Sequence, residues 1–176
     1  MVIPLRRIIG KGGRDPAFGA ISRFTCRDDD VEAFLKHRAV DFESRDKSRT
    51  YLIFDDASGE LIGYFTLSLK ALPFKNHVSK SVIKNIDGYS KDVQAVGIIL
   101  IGQFGKDSIL AKDIDGASLF GLCLQTVRKA QNIIGGRFVL LECHDIEKVI
   151  SFYAKHGFIS LQHDETDNYL QMVRRL

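Results

Sequence analysis

Two stretches of this sequence hold residues whose types and spacing suit chemistry. In 137–143 (RFVLLEC) a single carboxylate, Glu142, stands in an apolar run, where burial would push its pKa up toward neutrality and make it a proton acceptor. His144, just beyond, is the other candidate proton acceptor. Cys143, His144 and Asp145 together hold a nucleophile, a base and an acid. Adjacent strand residues point to opposite faces, however, so a catalytic triad is not expected there. The second stretch is 103–117. Its loop, Lys112, Asp113, Ile114, Asp115, Gly116 and Ala117, precedes a helix pattern, and the free N–H groups of a helix start attract anions such as phosphate. Gly116 lets a phosphate approach with no Cβ in the way, and Lys106 and Lys112 offset the two acids. The competing reading of DIDGAS is an aspartate N-cap and nothing more. Upstream, Gly102, Gln103, Phe104 and Gly105 end a strand with small residues at intervals, as a bulge or a close ligand approach requires; the alternative is a core strand running into a loop. The five histidines include no i,i+4 pair and no H-E-x-x-H, so no metal site is expected.

The elements that must position these residues follow from periodicity. The opening, 1–19, carries Gly10, Gly12, Gly13 and Pro16 and reads as a short strand and a loop. Thr25 and Asp28 have capping-box spacing, and Val31, Phe34, Leu35, Arg38 and Phe42 predict a helix ending near Arg45. TYLIF (50–54) and LIGYFTLSL (61–69), joined by the turn-like Ala57-Ser58-Gly59-Glu60, predict a hairpin. A basic insert after Pro73 predicts a short helix and loop. Strands are expected at 93–104 and 137–143, the latter apolar on both faces and therefore central. Between them Leu119, Phe120, Cys123, Leu124 and Val127 form the apolar stripe of a helix closed by Gly135-Gly136. A helix at 146–155 and strands at 158–162 and 169–174 complete the chain. No repeat or linker interrupts this order, which predicts one mixed α/β domain over residues 1–176.

The length of 176 residues suits one core, and 45% hydrophobic with 27% charged residues excludes disorder as the main state. No apolar run is long enough for a membrane span, and charges arrive too early for a secretory leader, so a cytoplasmic, membrane-free protein is expected. Three cysteines, Cys26, Cys123 and Cys143, form neither a metal knuckle nor a disulfide framework; the last two sit in apolar runs and are read as buried. With 25 basic against 22 acidic residues, the net charge of +3 permits a nucleic-acid partner without requiring one.

The run from Gly97 to Phe158 resembles the GNAT superfamily of acyl-CoA-dependent N-acyltransferases. Ser151-Phe152-Tyr153-Ala154-Lys155-His156-Gly157-Phe158 matches that family's FYxxxGF signature, and LIGQFGKDSILAKDIDGASLF (100–120) aligns on its acyl-CoA segment, including a strand-end aspartate at Asp107. The family's Q/R-x-x-G-x-G/A loop falls on 111–116, where only its last glycine is present, as Gly116. The helix after FTC (24–26), the strand with Gly63-Tyr64-Phe65 and the LIGQF strand are most similar to the toxin-type branch, which acetylates the amino group of aminoacyl-tRNA and is silenced by an antitoxin. The resemblance implies a central mixed, mostly antiparallel twisted sheet with helices on both faces. It also implies acetyl-CoA as co-substrate, held by Gln103, Phe104, Gly105 and Lys106 along the pantetheine and by residues 112–117 at the pyrophosphate, with amides near Phe104 and Lys106 polarising the thioester carbonyl. Tyr153 is implied at the sulfur, where its phenol would protonate the leaving thiolate, while Phe152 faces the core.

Two function classes follow. One is an N-acetyltransferase acting on a primary amine: aminoacyl-tRNA, a small amine or a protein lysine. For tRNA, Arg6, Arg7, Lys11, Arg14, Lys75, Lys80, Lys84, Arg174 and Arg175 should share a face. The partners implied are then tRNA, an antitoxin protein and, in a homodimer, a second copy. The other class is a binding protein on the same scaffold without turnover, suggested by the altered pyrophosphate loop.

Overall fold

In the computed structural model, which describes residues 1–12, 14–164 and 166–176, the chain opens with β1 (Val2–Pro4). The expected loop after it is instead two helices, α1 (Leu5–Gly12) and α2 (Arg14–Ile21). The glycines misled because Leu5, Ile8 and Ile9 recur at helical spacing. Leu5 is fully buried and both isoleucines pack on the same core, so tertiary burial overrides weak local propensity. Pro16 falls in the first turn of α2, where a missing N–H forfeits no intrahelical bond. Gly13, part of the expected loop, lies outside the described residues.

The next helix is divided. α3 (Asp29–His37) starts on Asp28, whose carboxylate accepts from the Asp30 and Val31 amides, and α4 (Ala39–Ser44) follows a break at Arg38. The cap is therefore Asp28 and not Thr25. Glu32, in the first turns of α3, reaches back to accept from the Cys26 N–H at 2.7 Å. β2 (Arg49–Phe54) pairs antiparallel with β1 and with β3 (Leu61–Pro73), from Arg49↔Leu67 to Phe54↔Leu61, around the turn where Gly59 has φ +71°. Beyond β3 come α5 (Lys80–Asp87), capped by Ser79 and Gly88, then β4 (Ala95–Lys106) and α6 (Gly116–Ile134). β5 (Phe138–Cys143), α7 (Glu147–Lys155), β6 (Ile159–His163) and β7 (Leu170–Arg175) finish the order.

The strands form a seven-stranded mixed sheet in the order β1-β2-β3-β4-β5-β7-β6. β4 and β5 are parallel from Ile99↔Val139 to Ile101↔Leu141, and β7 is antiparallel to both β5 and β6. Contacts gather into two units, residues 1–68 with 102–126 and residues 69–101 with 127–176. The first has a core of Leu5, Ile21, Phe24, Leu35, Leu52 and Tyr64. The second is built on Leu72, Ile86, Ile98, Phe138, Leu140 and Val173. Val139, Leu140 and Leu141 are consecutive and all at most 2% exposed, so both faces of β5 are covered, as its doubly apolar pattern predicts. Among the described residues no helix is long and apolar enough to cross a membrane.

Candidate active site

In the first unit the site residues lie at the end of β4 and the start of α6. Asp107, fully buried, is the knot of this region. Its Oδ2 accepts from the Thr25 N–H at 2.9 Å, and its Oδ1 from the Ile109 and Leu110 N–H groups at 2.8 and 2.7 Å. The carboxylate thus fixes the chain leaving β4 against the segment that enters α3. Lys106 continues the work: its ammonium donates to the Ile114 carbonyl at 2.5 Å and so shapes the loop. Asp115 accepts from the Ala117 N–H at 3.2 Å, which is the N-cap reading of DIDGAS, and Ile114 N–H donates to the Ala111 carbonyl. Lys112 and Asp113 are exposed, and Gly116 is the first residue of α6. Helix geometry leaves the Gly116 and Ser118 amides without an intrahelical acceptor.

The space at Gly105 belongs to the protein. A Cβ there would stand 2.8 Å from both Tyr64 Cε1 and Val31 Cγ1, and one at Gly63 would stand 3.0 Å from the Gly105 carbonyl oxygen. The Tyr64 ring thus fills the place a Cβ would take at Gly105, and its hydroxyl donates to the Val31 carbonyl at 2.5 Å. Burial drives the Tyr64 phenol far above its ordinary range. Phe104 meets Phe120 edge-on at 5.0 Å, and Gln103 is half-buried. Burial also raises the pKa of Cys26, against the lowering pull of backbone N–H groups of Asp28, Lys106 and Arg27, so that thiol stays protonated.

The second unit holds the other candidates. Tyr153 lies on α7, half-buried, edge-on to Phe152 at 5.2 Å and to Phe158 at 6.1 Å. Gly157, at φ +81°, turns the chain so that Phe158 enters the core at 2% exposure. Phe152 is only half-buried and packs on His156, so Phe158 is the core aromatic of this motif. Glu142 projects from β5 into a polar network. Its Oε1 accepts from the Lys70 ammonium and, at 2.7 Å, from Gln171 Nε2. Asp164 accepts from the same two groups. Burial opposes the charge on Lys70, but the Glu142 and Asp164 carboxylates outweigh it and hold that ammonium above its ordinary range. The Thr166 N–H, with Lys70 adding to it, holds the Asp164 carboxyl low. His144 is exposed and edge-on to Tyr169 at 4.8 Å. Cys143 is buried, with its thiol pushed up to about 11, and Asp145 pairs with His163 at 3.0 Å. Cys143, whose thiol faces Met172 Sδ at 4.0 Å, His144 and Asp145 thus turn to three different partners.

Lys70, Asp164, Gln162 and Gln171 escaped the sequence reading. Their signal was present: Gln162 and Gln171 interrupt apolar strands at positions that pair across β6 and β7, and both are at most 4% exposed. Arg6 lies 3.6 Å from Asp46, and Lys80, paired with Asp92, sits one turn from Lys84 on α5; the side chains of Lys11 and Arg14 lie outside the described residues.

This fold and motif set define a GNAT-type acyltransferase architecture. No family model and no curated protein sequence matches the chain. Solved structures do. A bacterial toxin superposes with a TM-score of 0.70 at 19% identity, covering 89% of this chain and 83% of that one. AtaT complexed with acetyl-methionyl-tRNAfMet matches at 0.65 and 25% identity, over 86% and 85% of the two chains. A tyrosine-to-phenylalanine mutant of KacT matches at 0.65 and 26%, with the same coverage. These are GNAT-fold toxin acetyltransferases, and the present chain has their fold.

Proposed function

We propose that this protein is an acetyl-CoA-dependent N-acetyltransferase of the toxin type, acting on the amino group of an aminoacyl-tRNA. The observation that carries the reading is the likeness to AtaT, solved with acetyl-methionyl-tRNAfMet and, as a tyrosine-to-phenylalanine mutant, with acetyl-CoA and the C-terminus of the antitoxin AtaR. On this reading an antitoxin is a partner of the present chain as well. The first turn of α6 fits a pyrophosphate through the Gly116 and Ser118 amides and the exposed Lys112, within a loop that Asp107 and Lys106 hold in shape. Gln103, Phe104, Gly105 and Lys106, at the end of β4, would line the pantetheine.

Acetyl transfer forms a C–N bond at the thioester carbonyl and breaks the C–S bond. The amine attacks in its neutral form, so a base first removes the ammonium proton; Glu142 and His144 are the candidates. Glu142 has one oxygen held by Lys70 and Gln171, whereas His144 is exposed. The departing thiolate takes its proton from the Tyr153 phenol.

The test pairs calorimetry with acetyl-CoA and transfer assays on bulk charged tRNA, polyamines and peptides. Tyr153→Phe should bind acetyl-CoA as the parent does and transfer about 10²-fold more slowly or worse. Absence of acetyl-CoA binding at near-physiological concentration would remove the enzyme reading. Binding without transfer to any acceptor would favour a scaffold without turnover, a reading the self-capped loop at Asp115 supports.

A further inference from the structure

Within the second unit, the end opposite Glu142 and His144 carries an excess of unpaired positive charge. Arg137 precedes β5 and those two residues close or follow it, which puts about 20 Å of strand between them. Three segments meet here. The Arg137 side chain lies across Gly88, the left-handed cap of α5, and its Nε donates to the Asn85 carbonyl at 3.4 Å. The Leu176 N–H donates to the Arg137 carbonyl at 2.9 Å, and Arg175 stands opposite Phe138 in the β5–β7 register. Residues 84–91, 128–137 and 174–176 hold seven lysines and arginines against one aspartate, whereas the whole chain has 25 basic against 22 acidic residues. A terminal carboxylate at Leu176 would offset only one of the seven cations. The aspartate, Asp87, is occupied by the Tyr89 and Ser90 N–H groups at 3.0 and 2.7 Å. Among the described residues none of these cations pairs with a carboxylate, while Arg6, Lys36, Arg45, Arg49, Lys70 and Lys80 all do.

Two side chains here are held in place and still face solvent. A Cβ at Gly88 would stand 2.5 Å from Arg137 Cδ and 2.6 Å from its Nε, so only glycine leaves room for the guanidinium to lie there. Of the five N–H donors of Arg137 one is engaged, and the two Nη groups keep a planar fork that matches a phosphate. Lys84 is exposed on the Gly88 face of α5, one turn away, and Arg175 is exposed at the end of β7. Tyr89 follows Gly88 on a turn that Asp87 pins, yet it is 91% exposed. An aromatic ring fixed beside an arginine fork offers a stacking face next to a place for phosphate. On the other face of β7, burial lowers the pKa of Arg174 and the neighbouring Arg128 lowers it further. Like charges left together destabilise the folded chain, and a bound polyanion would remove that cost.

We propose that this end of the second unit binds a nucleic-acid strand, with phosphates on Lys84, Arg137 and Arg175 and an unpaired base stacked on Tyr89. Taking that strand to be part of a charged tRNA rests on the acceptor proposed above; the binding itself does not. The strand lies far from Glu142 and His144, so this surface sets affinity for the body of the acceptor and touches no reacting atom. Ile133 and Ile134, exposed at the end of α6, make an anionic lipid surface the competing occupant. A fixed fork beside a fixed ring favours phosphate and base side by side.

The experiment titrates a labelled oligouridylate of about ten nucleotides with the full-length protein, without acetyl-CoA, and follows its fluorescence anisotropy. With about three phosphate contacts, affinity should fall about 20-fold between about 50 and 200 mM potassium chloride. Arg137→Gln should weaken binding and reduce the salt slope by about 0.7. Tyr89→Ala should weaken it about 5-fold or more at unchanged slope, and Tyr89→Phe should restore it. Arg45→Gln, which removes an exposed cation of the first unit, should leave binding as it is. Absence of binding, binding that survives both Arg137→Gln and Tyr89→Ala, or equal weakening by Arg45→Gln would overturn the proposal. Tighter binding to phosphatidylserine vesicles than to the oligonucleotide would assign the surface to lipid and overturn it too. Oligonucleotide binding in a protein that transfers no acetyl group leaves this surface intact and removes the enzyme reading. Acetyl transfer to charged tRNA with a KM untouched by Arg137→Gln and Tyr89→Ala does the reverse.

Discussion

Asp107 shows how one buried carboxylate organises a site. Three backbone N–H groups, of Thr25, Ile109 and Leu110, depend on its two oxygens. Asp107→Ala leaves three part-buried donors without their acceptor and should cost about 1–3 kcal/mol, read from the urea midpoint at unchanged m-value. Asp107→Asn keeps one acceptor oxygen and should cost less. Lys70 makes a second prediction, through pH. Its folded pKa is raised above the ordinary 10.5, so its contribution to stability is complete below that value and is lost as pH rises through the folded pKa. Asp164 has the opposite sign: its folded pKa is lowered from 3.8, so its contribution holds above 3.8 and is lost as pH falls through the folded value. Urea unfolding of the parent and of Lys70→Met from pH 8 to 12 should show a difference in stability that shrinks toward the alkaline end. A difference independent of pH would mean that Lys70 contributes by packing alone.

At the scale of elements, close packing between strands decides what the glycines do. Gly105 gives its missing Cβ to the Tyr64 ring and Val31, and Gly63 gives its own to the Gly105 carbonyl and Leu119. Gly105→Ala should therefore destabilise the protein by about 1–3 kcal/mol, seen as a lower Tm, because the ring and α3 must shift to make room. The hairpin, the central β5 and the FYxxxGF helix and turn were all legible in the sequence, since each is signalled locally by alternation, by an unbroken apolar run or by a motif with its own glycine. The opening helices α1 and α2 were not. Gly10 and Gly19 argue locally for a loop, yet a Cβ at either would touch nothing within 4 Å, so the burial of Leu5 and Ile21 decides the structure there. The polar network was hidden for a related reason. Lys70 lies 72 residues from Glu142 and 94 from Asp164, and only the sheet order brings them together. Periodicity reveals which face a residue takes, and it carries no information about which distant strand supplies the partner.

For the whole molecule, the net charge of +3 says little until it is divided among sites. Exposed ion pairs such as Arg6 with Asp46 and Lys80 with Asp92 are weak in water and are easily exchanged for phosphate contacts. A charged-tRNA acceptor would meet such residues by releasing counterions, and its apparent affinity would fall as a power of the salt concentration. With about four phosphate contacts, raising potassium chloride from 50 to 200 mM should raise KM for charged tRNA by about 50- to 150-fold. A small amine has no phosphate to contribute, so its KM should change little over the same range. Alanine at Lys80 and Lys84, one turn apart on α5, should lower the salt slope without changing kcat if that helix meets the tRNA. A KM for charged tRNA that is flat in salt would place the recognition in the amino end alone, and would turn the search for an acceptor from nucleic acid to small amines and peptides.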